Sequence, residues 1–114
     1  MHIYNKLVRD NIDDIINNNG KNEEAVTRIL TDEEYKIELI KKLNEEYNEL
    51  LEAIDSGVTE DIIEESADLI EVIRALNADN LETILQKLED KRDKKGGFVK
   101  RKYLEYVRKI DELY

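Results

Sequence analysis

Cysteine, proline and tryptophan are absent from this 114-residue chain, and it has only four glycines, one histidine and one phenylalanine. Without cysteine there is no disulfide framework and no thiolate zinc site. Without proline nothing forces a break in a helix. No apolar run is long enough to span a bilayer. The opening Met1-His2-Ile3-Tyr4 lacks the apolar core of a signal peptide, so the expectation is a cytoplasmic protein with no membrane association. Basic residues are also in short supply. Eighteen Lys and Arg stand against 28 Asp and Glu, a net charge of −10, so the body of the chain repels phosphates and nucleic acid.

Charged residues make up 40% of the chain and mean hydropathy is −0.67, a balance that taken alone suggests disorder. The apolar residues are nevertheless regularly spaced, which argues for helices with one buried stripe and strongly charged outer faces. A chain of this length can bury a core as a single domain, taken here as 1–114. The fold class expected is all-α, an antiparallel helix bundle.

In chain order, Tyr4 to about Asn18 reads as a short helix with Leu7, Val8, Ile12, Ile15 and Ile16 inward, stopped by Asn17-Asn18-Asn19-Gly20. Residues 21–30 read as a connection, with some β character at Ala25–Leu30. Thr31-Asp32-Glu33-Glu34 opens the main helix with a capping box, Thr31 as N-cap and Glu34 three residues on. Its apolar pattern runs through Leu39, Leu43, Leu50 and Ile54 to a stop at Asp55-Ser56-Gly57. A second helix begins at Thr59, read as its cap, and continues to about Asn77. The short connection makes the two helices antiparallel neighbours. Asn80 is a candidate cap for a helix from Leu81 to about Lys94, which Gly96-Gly97 ends. The last segment, with Tyr103, Leu104, Tyr106, Val107, Ile110 and Leu113, reads as mostly helical.

Two acidic pairs carry the chemistry. Glu46 with Glu49, and Glu65 with Asp68, are each three residues apart and so share a helix face. Glu65 falls within the apolar stripe Ile62, Leu69, Val72 and Leu76, where an ionised carboxylate is costly unless neutralised. If the stripes pack together, at least three carboxylates crowd one region and cannot all stay ionised without a cation. Oxygen donors of this kind suit Mg²⁺, or Mn²⁺ in its place, better than zinc. The bland alternative is a solvated face, with Lys42 pairing to Glu46 at i,i+4. Glu-x-x-Glu is common in charged helices, and it is the combination of the two pairs that points to a metal. A local basic segment from Lys87 to Lys102 has eight basic residues against three acidic ones. Nucleic-acid binding through it is the weaker reading, because a general nucleic-acid binder is basic more widely.

The pattern Glu46-x-x-Glu49, fifteen residues, then Glu65-x-x-Asp68, resembles the metal-binding signature of the MazG-like all-α nucleoside triphosphate pyrophosphohydrolases. Tyr4-Asn5-Lys6-Leu7-Val8-Arg9-Asp10-Asn11-Ile12 resembles the opening block of a small house-cleaning branch related to phosphoribosyl-ATP pyrophosphohydrolase. Lys95-Gly96-Gly97-Phe98 resembles that branch's Arg-Gly-Gly-Phe. The three blocks occur in the same order and cover most of the chain. The resemblance implies cleavage of a nucleoside triphosphate between the α and β phosphates, giving the monophosphate and pyrophosphate. It implies Glu46, Glu49, Glu65 and Asp68 as Mg²⁺ ligands, Glu46 or Glu45 as the group that orients or deprotonates the attacking water, and Lys6, Arg9, Lys91 and Lys95 as polyphosphate contacts. It also implies a homo-oligomer, dimer or tetramer. Three positions depart from the branch: Asn11 replaces Lys, Asp13 stands where Pro is usual, and Lys95 replaces Arg, which forfeits a bidentate phosphate contact. Two alternatives remain: a specialised hydrolase of the phosphoribosyl-ATP type, and a catalytically silent helical oligomer or interaction module whose acids are only surface charge.

Overall fold

The computed structural model describes residues 1–113, with side-chain burial described through Asp111. Four α-helices follow one another: α1 (Ile12–Asn17), α2 (Asp32–Ser56), α3 (Thr59–Leu76) and α4 (Leu81–Lys95), before a 3₁₀ turn at Ile110–Leu113. No strand forms among the described residues, and the fold class is all-α. The chain divides into two compact units, Met1–Asp79 and the remainder from Asn80.

The first unit is built on α2 and α3, which pack against each other. α2 starts where its local chemistry says it should. Thr31 Oγ1 accepts the Glu34 amide at 3.2 Å, and the Glu34 carboxylate accepts the Thr31 amide at 3.0 Å, closing the capping box. Arg28 braces the same carboxylate at 2.9 Å, and together these bonds hold Glu34 at about 2, far below an ordinary glutamate. At the other end Gly57 takes the left-handed conformation, φ 74°, and its amide reaches back to the carbonyls of Ala53 and Ile54. Val58, not Thr59, occupies the N-cap position of α3. Thr59 lies one residue inside, so its expected capping role does not arise. No side chain caps α3; Ser56 Oγ instead accepts the Val58 amide and donates to the Ala53 carbonyl, tying off the turn.

Leu39 and Ala53 on α2 and Val72 on α3 are the apolar side chains buried among the described residues. The expected α2 stripe is therefore shifted toward its small residue. Leu43 and Leu50 are half-buried, Ala53 is buried, and Ile54 faces solvent. Ser66 Oγ donates to the Ile62 carbonyl one turn back, removing an otherwise unmatched hydroxyl from the α3 face.

Two expected helices shrink. The N-terminal one covers only Ile12–Asn17, and Tyr4–Asn11 is irregular, with Asn5 at φ 47° and a turn in which the Arg9 carbonyl accepts the Ile12 amide. Leu7, Val8, Ile12 and Ile16 still lie half-buried, while Ile15 is exposed. In the second unit α4 ends at Gly96, φ 83°, as the Gly96-Gly97 stop requires. Asn80 sits at its N-cap position without making the side-chain bond expected of it. Beyond it the expected C-terminal helix is not formed over residues 101–109. Tyr103, Leu104, Tyr106, Val107 and Ile110 are all exposed. Helical spacing without a surface to bury against does not sustain a helix of this length.

Candidate metal centre

Each acidic pair lies about two helical turns from the α2–α3 connection, so folding the helices back brings the pairs level. One carboxylate oxygen each from Glu46, Glu49, Glu65 and Asp68 lie within 4.8 Å of one another. Both halves of the site are thus set by regular helix, where i and i+3 share a face, rather than by loops.

The cluster is partly withdrawn from water. Glu46 is only 9% exposed, and its Oε2 is buried with no hydrogen-bond partner. Glu65 is half-buried, and its Oε2 is likewise shielded and unpartnered. Two buried, unsatisfied carboxylate oxygens facing two further acids are an arrangement that folding alone does not favour. The cost appears as displaced proton affinity. Glu46 is pushed up to about 7, first by burial and then by a hydrogen bond and charge repulsion from Glu49, with Asp68 adding to it; Lys42 opposes the rise. Glu65 is raised by the same causes in the same order, with Glu49 ahead of Asp68 and Glu64.

Two cations reach the cluster. Lys42 Nζ lies 3.4 Å from Glu45 and 4.0 Å from Glu46 on its own helix. Arg9, from the irregular N-terminal segment, places Nη2 2.6 Å from Asp68 Oδ1. The Lys42 pairing was legible from the i,i+4 spacing, but the Arg9–Asp68 bond joins residues 59 apart and carried no local signal. An open cleft of about 440 Å³ borders the cluster on the side of the α2–α3 turn, lined by Glu49, Glu65, Glu52, Ala53, Ser56 and Asp61.

The other candidate residues are placed as follows. Glu45 is exposed and engaged by Lys42, outside the group of four. Lys6 is exposed, its ammonium 5.8 Å over the Tyr4 ring, which in turn stacks on His2. Lys91 and Lys95 are exposed on α4, in the second unit.

The donor set fits a hard divalent cation. Four carboxylates supply oxygens only, as Mg²⁺ and Mn²⁺ prefer, and the orphaned Oε2 atoms of Glu46 and Glu65 lack the positive partner that such an ion provides. Among the described residues no helix is long and apolar enough to cross a membrane. No protein-family model, curated protein or solved structure matches the chain.

Proposed function

We propose that this chain is a Mg²⁺-dependent nucleoside triphosphate pyrophosphohydrolase of the MazG-like all-α type, cutting between the α and β phosphates. The observation that carries the reading is the convergence of Glu46, Glu49, Glu65 and Asp68, with two buried carboxylate oxygens unpartnered. The same four positions match the family's acidic signature, and the opening and Lys95-Gly96-Gly97-Phe98 blocks add to the resemblance.

In this reading the four acids hold Mg²⁺ or Mn²⁺, which would offset the negative charge on the phosphates of an otherwise repelled substrate. The chain's own groups do the rest. Glu46, the most buried of the four acids, orients or deprotonates the attacking water. It is better suited than Glu45, whose carboxylate is exposed and committed to Lys42. Arg9, at the rim of the cluster, and Lys6 supply positive charge toward the polyphosphate, the role that the family resemblance also gives Lys91 and Lys95.

The protein works in the cytoplasm as a homo-oligomer, dimer or tetramer. Ile40, Tyr47 and Leu51 on α2 and Ile63 and Ile70 on α3 remain exposed, and a second copy would cover such surfaces.

The test is a panel of ordinary, modified and phosphoribosyl nucleotides incubated with Mg²⁺ and resolved by ³¹P NMR. Equal amounts of monophosphate and pyrophosphate from at least one triphosphate are expected. Diphosphate with orthophosphate, or no turnover of any member, would overturn the assignment.

A further inference from the structure

Arg9 stands in an unusual position, because the carboxylate it binds belongs to the cluster. Asp68 Oδ1 accepts Arg9 Nη2 at 2.6 Å. Among the described residues this is the sole side-chain hydrogen bond from the segment before α1 to α2 or α3. A cation drawn to the cluster therefore competes with Arg9 for Asp68.

We infer that Arg9 is the resident counter-ion of the acid cluster and that a divalent cation displaces it, freeing residues 4–11 from α3. This inference rests on the metal site proposed above. With no ion bound, four carboxylates face two monovalent side chains, Arg9 on Asp68 and Lys42 near Glu46 and Glu45. Arg9 reaches only Asp68 and leaves Glu46 Oε2 and Glu65 Oε2 without partners. It is therefore an incomplete neutraliser. A cation seated among the four acids satisfies those oxygens and repels the guanidinium a few ångströms away. Arg9 is exposed and Asp68 partly so, and ion pairs open to solvent hold weakly. The exchange also delivers a free guanidinium to the edge of the metal site, where an incoming phosphate group can accept both of its parallel N–H bonds. The ordering is then built in: cation first, release of Arg9 second, anion third.

Calorimetric titration of Mn²⁺ into wild type, Arg9→Ala and Arg9→Gln tests the exchange without reference to turnover. Removing an exposed competing pair should tighten Mn²⁺ binding roughly two- to fivefold in both variants. Arg9→Gln keeps a hydrogen-bond donor without the charge, so it serves if the alanine variant folds poorly. In parallel, saturating Mn²⁺ should speed hydrogen exchange at the amides of residues 4–11 in wild type and leave it unchanged in Arg9→Gln. Mn²⁺ affinity equal to or below wild type in the variants, or greater protection of residues 4–11 with Mn²⁺, overturns the exchange and leaves the metal site standing. Absence of saturable binding to all three proteins overturns both.

Discussion

Glu46→Gln should make the metal-free protein more stable at neutral and alkaline pH, although it removes a charged residue from the candidate site. Folding raises Glu46 from 4.5 to about 7, chiefly by burial. Between those two values the folded chain holds a proton that the unfolded chain has released. Stability therefore falls as pH rises through the window, and the loss is complete above about pH 7. At 1.36 kcal/mol per pKa unit the ceiling is roughly 3 kcal/mol, and screening in the open cleft reduces the expected effect to about 1–2 kcal/mol. Glutamine has nearly the same shape and cannot ionise. The variant should match wild type near pH 4.5 and exceed it at pH 8 by that margin, a rise in Tm of roughly 4–10 °C. Circular dichroism melts at 222 nm, in chelator and at one fixed protein concentration from pH 4.5 to 8, read the difference. Parallel pH curves for the two proteins, or a variant less stable than wild type at pH 8, would refute the claim that Glu46 is buried among uncompensated carboxylates.

Three further outcomes are expected. Thr31→Ala removes the capping box and should cost about 1 kcal/mol in chemical denaturation; since Glu34 is depressed to about 2, the stabilising bonds of this cap are fully present above about pH 4.5 and should be lost as pH falls toward 2. Gly57→Ala puts a Cβ on a left-handed residue at φ 74°; open space surrounds the site, so the backbone cost of about 1 kcal/mol should stand alone in the Tm. Glu65→Ala and Asp68→Ala should each abolish pyrophosphate release while leaving helicity by circular dichroism intact, and near-normal release from either would remove that residue from the ligand set.

How far the sequence carried the structure depended on whether each signal was local. Thr31 with Glu34 and the Ser56-Gly57 stop bound α2 correctly because both act through bonds within one turn. The meeting of the two acidic pairs was legible for a related reason. Helix periodicity and a short connection are enough to set Glu46, Glu49, Glu65 and Asp68 level with one another. Thr59 and Asn80 looked like caps by residue type; Thr59 falls one residue inside α3, Asn80 does occupy the N-cap position of α4, and neither makes a side-chain cap bond. Tyr103, Leu104, Tyr106 and Val107 had helical spacing, and the segment stays irregular because spacing forms a helix only where a surface rewards burial. Arg9–Asp68 could not have been found from pattern at all, since one partner lies on an irregular segment and the other on α3. What the sequence did expose, Glu65 within an apolar stripe, is the feature that points to a cation.

The most direct test of the central claim is to locate the cation. Mn²⁺ added below one equivalent to ¹⁵N-labelled protein broadens amide signals near its binding site. The account predicts that signals from residues 43–52 on α2 and 62–71 on α3 broaden first and together, and that Glu65→Gln abolishes this selectivity. Broadening centred elsewhere, or spread evenly over the acidic surface, would contradict it.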